Sequence, residues 1–104
     1  MYNILMRIIS KKRLSDFYAH AKYADSKNAL EAWHKEVLKL HWNTPNEIKS
    51  MYRSASIVGD TKVVFNIAGN KYRLIVSINY HAKIVFIKFI GTHKQYDKID
   101  IEEL

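Results

Sequence analysis

Three side chains near the carboxyl end of the sequence have types and spacing suited to proton transfer. His93 can exchange a proton near neutral pH, because an imidazole titrates in that range. Tyr96 and Asp97 follow three and four positions later, so all three side chains share one patch if Thr92 caps a helical turn. The spacing therefore predicts a proton-transfer cluster at residues 93–97, in which Asp97 orients His93 or caps the backbone.

Arg73 is the candidate for binding an anionic group. Its guanidinium stays charged at all physiological pH values, and the planar fork can contact two oxygens of one phosphoryl group. The alternative for Arg73 is an ordinary surface arginine on a sheet.

Three β-rich runs must position these side chains, and they cover Lys62–Ile67, 71–80 and 84–90. Short polar or glycine-containing links separate them, which predicts an antiparallel meander. With two-residue turns at Ala68-Gly69 and His81-Ala82, one face becomes almost wholly apolar. This predicted core face consists of Val63, Phe65, Ile67, Tyr72, Leu74, Val76, Ile78, Val85, Ile87 and Phe89.

The opposite face of the predicted meander mixes cations with flat apolar surface. On such a face Phe86 can stack on an unpaired base while Lys62 and Lys88 contact phosphates. The alternative is a half-exposed face with solubilising lysines, or one that the C-terminal segment covers. The predicted members of this face are Lys62, Val64, Asn66, Lys71, Arg73, Ile75, Ser77, Ile84, Phe86, Lys88 and Ile90.

The amino-terminal half is predicted to be helical after one short strand around residues 4–9. Ser10 is expected to cap a first helix with an apolar stripe, and Asp25 or Ser26 a second helix that ends near Leu40, forming an antiparallel hairpin. Thr44, Pro45 and Glu47 predict a third helix to about residue 51, because threonine can cap, proline suits the first position and glutamate closes a capping box. Residues 53–60 lack periodicity and are predicted to form a loop.

Composition limits the function classes. The 104 residues suit one domain, 1–104, and the absence of cysteine excludes disulfides, thiolate zinc sites and cysteine nucleophiles. No apolar stretch approaches the roughly 18 residues of a membrane span, so we expect a soluble, cytoplasmic protein. Seventeen Lys and Arg against ten Asp and Glu give a net charge of +7, which favours an acidic partner: nucleic acid, an acidic protein or a membrane surface.

A family resemblance narrows these alternatives. The stretch VVFNIAGNKYRLIVSINY, the following IVFIKFIGTHKQYDKID and the preceding Tyr52-Arg53-Ser54-Ala55-Ser56 resemble HigB-type toxins of type II toxin-antitoxin systems. The similarity covers roughly residues 53–100, with Trp33 and Trp42 fitting one subgroup. HigB-type toxins belong to the RelE-like mRNA interferase superfamily. The resemblance implies an α+β fold, in which an N-terminal strand and a helical hairpin pack on a twisted antiparallel sheet.

The resemblance also implies a chemistry. RelE-like toxins cut mRNA, usually on a translating ribosome, by attack of a ribose 2′-hydroxyl on the adjacent phosphate, without a metal or other cofactor. For this chain, the resemblance implies that Arg73 stabilises the transition state and that His93 carries a proton. Tyr96 would then stack on a base, orient the hydroxyl or relay a proton. This chain departs from the RelE pattern because Lys88 stands where RelE-type toxins have an arginine. The groups that act as acid and base in this chain can therefore differ from those of RelE-type toxins.

The remaining site residues are predicted to bind RNA, and of these Arg53 is the one that comes from the subgroup's motif. The predicted catalytic residues are Arg73, His93, Tyr96 and Asp97. The predicted RNA-binding residues are Lys62, Asn66, Lys71, Phe86, Lys88, Lys94 and Arg53. For Arg53 a structural role is an equal alternative. The implied partner is an antitoxin resembling HigA, a helix-turn-helix protein. Two rival functions stay open: a non-catalytic RNA- or ribosome-binding module, and an interaction domain for an acidic protein.

Overall fold

The computed structural model describes residues 4–104 and confirms an α+β architecture. Its five strands are β1 (Arg7–Ile9), β2 (Ser56–Val58), β3 (Lys62–Ile67), β4 (Tyr72–Asn79) and β5 (Ile84–Thr92). They form one sheet in the order β1-β5-β4-β3-β2. The pairs β2–β3, β3–β4 and β4–β5 are antiparallel as predicted, whereas β1 pairs with β5 in parallel, so the sheet is mixed.

The helices are α1 (Lys11–Ala19), α2 (Lys27–Val37), α3 (Pro45–Met51) and the single turn α4 (His93–Tyr96), with 3-10 helices at Ala21–Ser26 and Ile101–Glu103. The predicted capping box of α3 is present, because the Thr44 side chain accepts from Glu47 N and the Glu47 carboxylate reaches back to Thr44 N. The predicted caps of α1 and α2 are wrong in detail. Ser10 and Ser26 occupy the cap positions without a side-chain cap bond, and Asp25 points elsewhere.

The core lies between α1–α3 and one face of the sheet. Leu14, Leu30, Trp33 and Val37 from the helices meet the sheet face that the alternation predicted. Trp33 and Trp42 are core residues, each 4% exposed and close to the Phe65 ring. The apolar surface that these residues remove from water is the main stabilisation of the fold.

The sheet differs from the prediction at β2 and at the link between β3 and β4. Residues 56–58 of the predicted loop form the edge strand β2, which is too short for its pattern to show in the sequence. The link between β3 and β4 holds four residues rather than two, because Ile67 pairs with Tyr72. This moves the register by two residues, and since strand alternation has period two, the side chains within β3 and β4 keep their predicted faces. The β4–β5 register begins as predicted, with Asn79 opposite Ile84.

A bulge in β5 changes the predicted faces beyond that point. Val76 pairs with Ile87, but the next pair is Ile75 with Phe89, so Lys88 is the extra residue. Phe89, predicted in the core, therefore lies on the opposite face, and Ile90, predicted opposite, packs against the core. The extra residue thus exchanges the roles of two neighbouring apolar side chains.

A candidate active site on the open face of the sheet

The structure brings the side chains of the predicted cluster at residues 93–97 close together. Thr92 caps α4: its side chain accepts from Gln95 N, and the Gln95 side chain accepts from Thr92 N (2.9 Å). His93 Nδ1 lies 3.3 Å from Asp97 Oδ2, and the His93 and Tyr96 rings are 6.3 Å apart at 80°. Both His93 and Asp97 are more than half exposed. One turn of helix therefore presents an imidazole, its carboxylate partner and a phenol to solvent.

Arg73 lies beside this cluster. It projects from β4 on the face away from the core, and its guanidinium carbon is 5.9 Å from the centre of the Tyr96 ring, within cation–π range. Its Nη1 donates to the carbonyl oxygens of Asn70 (3.0 Å) and Tyr72 (3.3 Å). These bonds fix the guanidinium and leave Nε and Nη2, with three N–H donors, on an edge that can contact an anion.

Asn66 and Gly91 flank Arg73 across the sheet, since β3 pairs Asn66 with Arg73 and β5 pairs Arg73 with Gly91. A methyl group at Gly91 would come within 2.5 Å of Phe89 Cζ and 2.7 Å of Gln95 Oε1. The Phe89 ring therefore lies against Gly91, next to Arg73. Sequence reasoning missed Phe89 because the bulge that turns it to this face has no signature in the strand pattern.

The other predicted RNA-binding residues are distributed more widely. Lys62 lies four residues from Asn66, about 13 Å along β3, and its Nζ donates to the Glu102 carbonyl (3.1 Å). Val64 and Ile75 on this face are buried, with 3% and 0% exposure. The bond between Lys62 and Glu102 agrees with the alternative that the C-terminal segment covers part of the face, at the Lys62 end of β3.

Phe86 and Lys88 lie further along β5 from Arg73 than Phe89 does. Phe86 pairs with Ser77, and Lys88 Nζ is 5.8 Å from the centre of its ring. The carbonyl oxygens of Ile87 and Lys88 at the bulge accept from Arg13 Nη1 at 2.8 and 3.1 Å. Arg13 thus anchors α1 to the bulge that exposes Phe89.

Lys71 does not lie on the predicted face. Its ammonium contacts the Asp25 carboxylate, which also accepts from the Tyr72 hydroxyl of the core face. Hydrogen bonds from Lys71 and Tyr72 hold the pKa of Asp25 below its ordinary value, and burial with the bond to Asp25 raises the pKa of Tyr72 to about 12. Lys71 is therefore directed toward the first 3-10 helix.

Arg53 and Lys94 are both exposed. Arg53 lies in the turn before β2, and among the hydrogen bonds of residues 4–104 it supplies only its carbonyl oxygen, to Lys49 Nζ. Lys94 belongs to α4 but lines a groove on the side away from Arg73. The structure thus brings together Arg73, Asn66, His93, Tyr96 and Asp97, adds Phe89, and leaves Lys62, Lys71 and Arg53 outside the cluster.

Comparison with known proteins identifies the family. Residues 26–99 match the HigB_toxin family, described as the RelE-like toxic component of a toxin-antitoxin system. This chain belongs to the HigB toxin family. The family match begins next to α2 and so includes Trp33 and Trp42 as well as the strands.

Curated relatives agree with the family match. The mRNA interferase toxin HigB of Escherichia coli (strain K12) is 30% identical over 94 residues, which cover 88% of each chain. The mRNA interferase HigB of Escherichia coli O6:H1 is 28% identical over 96 residues, covering 90% of this chain and 91% of the relative. The predicted α+β fold and the HigB-type resemblance are both confirmed.

Within residues 4–104, no helix is both long and apolar enough to cross a membrane. In the same residues, no three His, Asp or Glu side chains group closely enough to hold a metal ion.

Proposed function

We propose that this HigB-family toxin is an mRNA endoribonuclease that inhibits translation, and that the cluster of Arg73, His93, Tyr96 and Asp97 is its active site. The observation that carries the proposal is their convergence: a fixed guanidinium edge, an imidazole with a carboxylate partner and a phenol lie on one open surface. The relatives named mRNA interferase support the choice of substrate.

The proposed reaction uses the ribose 2′-hydroxyl as nucleophile. The 2′-oxygen forms a bond to the adjacent phosphorus while the bond to the 5′-oxygen of the next nucleotide breaks. One group removes the 2′ proton and another donates a proton to the leaving 5′-oxygen. His93 is one of these proton carriers, and the contact between its Nδ1 and the Asp97 carboxylate holds its ring.

Arg73 stabilises the charge that develops on the phosphoryl oxygens. Its free edge can donate two parallel hydrogen bonds to them, and the backbone carbonyls that hold Nη1 fix this edge before the substrate binds. Asn66, its neighbour on β3, can donate to the same phosphate or to a base. Tyr96 lies between Arg73 and His93, where it can relay a proton or orient the hydroxyl.

Phe89, rather than Phe86, is the proposed stacking surface for a base next to the cleaved bond. Its ring lies against Gly91, the cross-strand partner of Arg73, whereas Phe86 lies three residues further along β5. Base stacking on an aromatic side chain contributes roughly 1–3 kcal/mol.

The proposal includes the partners and the setting. The toxin family implies an antitoxin, and we propose one of the helix-turn-helix, HigA-like kind. We also propose that cleavage takes place on translating ribosomes in the cytoplasm, that residues 1–104 act as a single domain, and that no metal is required.

The chemistry of the cut RNA ends tests the reaction. Purified wild type, Arg73→Ala, His93→Ala and the control Arg7→Ala are incubated with naked mRNA and with ribosome-bound mRNA. We expect 2′,3′-cyclic phosphate and 5′-hydroxyl ends from the wild type and from Arg7→Ala, and about 10²-fold or greater loss in each site variant. Ends with a 3′-hydroxyl and a 5′-phosphate, or undiminished cleavage by Arg73→Ala, would contradict the proposal.

A further inference from the structure

A basic groove lies on the other side of α4 from Arg73. It has a volume of about 560 Å³, and its walls come from the first 3-10 helix, the β3–β4 link and α4. The volume is within the roughly 300–1,000 Å³ of small-ligand sites. The lining side chains that matter here are Lys22, Tyr23, Lys71, His93, Lys94 and Gln95.

The groove is continuous with the proposed active site, because His93 belongs to both. His93 lines the groove, and its ring also contacts Asp97 and Tyr96 on the active-site side. A strand whose scissile phosphate lies at Arg73 and His93 can therefore continue across α4 into the groove.

The charge of the groove suits a polyanion. Lys22, Lys71 and Lys94 bring three ammonium groups to its walls. The Asp25 carboxylate forms an ion pair with Lys71. The Asp25 contact also ties the β3–β4 link to the 3-10 helix, so it holds two walls of the groove together. The balance of these charges is positive, as a site for phosphates requires.

An aromatic ring forms part of the same wall. Tyr23 is stacked on Phe17, with ring centres 4.4 Å apart and planes within 4°, and the buried Tyr72 meets it edge-on. Phe17 thus covers one face of Tyr23, and the His20 ring lies 5.6 Å from the Tyr23 ring at 42°. Tyr23 itself is half-buried. Gln95 Nε2 lies 3.5 Å from the Tyr23 hydroxyl and links this wall to α4. Lysines around a supported aromatic ring are the combination that binds single-stranded nucleic acid without base specificity.

We infer that this groove is a second RNA subsite, which binds the nucleotides that continue the substrate strand beyond the cleaved bond. This inference rests on the proposed function. Lys22 and Lys94 contact phosphates, and Tyr23 stacks on a base. The occupant is a single-stranded RNA segment rather than an acidic stretch of a protein, because the groove is continuous with the cluster that acts on RNA.

Binding of uncleavable RNA tests the subsite separately from catalysis. The probes are 2′-O-methyl oligoribonucleotides of three and of eight residues, titrated against the wild type, Lys22→Ala/Lys94→Ala, and the matched control Lys35→Ala/Lys39→Ala, whose lysines are exposed on and just after α2. Loss of two phosphate contacts should lower the salt-dependence slope by about 1.4 and the affinity about tenfold at 0.15 M salt. We expect this loss for the eight-residue probe with Lys22→Ala/Lys94→Ala, little change for the three-residue probe, and wild-type behaviour of the control.

The outcomes of this test distinguish a failure of the subsite from a failure of the proposed function. Equal weakening by the two double variants would overturn the subsite, since it would show only a general charge effect. If Lys22→Ala/Lys94→Ala binds RNA normally but binds the antitoxin more weakly, the groove takes an acidic protein segment and the inference is wrong. If the wild type neither binds nor cuts RNA, the proposed function itself fails. Crosslinking of a 4-thiouridine placed beyond the cut site should reach Tyr23, and crosslinks confined to β5 would contradict this placement.

Discussion

Replacement of Gly91 by alanine should reduce activity far more than stability. Gly91 pairs with Arg73, and the added methyl would approach Phe89 Cζ to 2.5 Å and Gln95 Oε1 to 2.7 Å. Both atoms are the far ends of flexible side chains, so they will move instead of the strand. The substitution therefore displaces the proposed stacking ring and one half of the α4 capping box, while the core stays intact.

The size of each effect follows from these contacts. Gln95 Oε1 accepts from Thr92 N, and loss of such a cap costs about 1 kcal/mol. For a domain of this size, 1 kcal/mol lowers Tm by about 4–8 °C. Displacement of α4 moves His93 relative to Arg73, and a shift of about 1 Å in a reacting group can cost about 10²-fold in rate. We expect about a hundredfold loss of kcat/KM at temperatures where the variant is fully folded.

Gly59→Ala is the matched control. Gly59 has a φ of 63° and no atom within 4 Å of an added methyl, so its alanine variant loses about 1 kcal/mol through backbone strain alone. Thermal unfolding and single-turnover cleavage are measured for both variants. If Gly91→Ala cleaves as fast as Gly59→Ala when both are folded, the reasoning about Phe89 and the α4 cap is refuted.

Three further predictions concern the choice between Phe89 and Phe86 as the stacking ring, the Asp25 contact and the α3 cap. Phe89→Leu should lower kcat/KM about tenfold or more through lost stacking, and Phe86→Leu much less; the reverse order in a cleavage assay would restore Phe86 as the base platform. The lowered pKa of Asp25 means that its carboxylate stabilises the fold above the ordinary Asp pKa, near pH 4, and that this stabilisation is lost as the pH falls through the lowered value. Asp25→Asn should therefore lower Tm at pH 7, with the gap to wild type closing toward pH 3, and a gap independent of pH would count against this account. Thr44→Ala should cost about 1 kcal/mol in urea unfolding with cleavage unchanged, since α3 does not contribute to the site, and a loss of cleavage in folded protein would show otherwise.

The sequence was sufficient to predict most of the fold because strand alternation is robust. A two-residue error in the β3–β4 link left the faces of the β3 and β4 side chains unchanged, since the side-chain period is also two. The Thr44 capping box and the Thr92 cap were readable because each depends on residues within one helical turn. These local rules do not depend on the rest of the molecule.

The failures came from features that depend on tertiary context. The β5 bulge is held by Arg13, 75 residues away from Lys88 along the chain, so no local pattern shows that Phe89 turns outward. The position of Lys71 is decided by Asp25 of the 3-10 helix, and that of Lys62 by the C-terminal segment. The basic groove likewise joins residues 22–23 to residues 92–95, which no motif connects.

The most direct test of the central claim is to map new 5′ ends across the mRNA of bacteria that lack the antitoxin. Wild type and an Arg73→Ala, His93→Ala double variant are induced to equal levels of folded protein. We predict growth arrest and new ends inside coding regions with the wild type, and neither with the double variant. Equal cutting by both would place the catalytic centre elsewhere. Growth arrest without new ends would show a toxin that binds RNA or ribosomes but does not cut.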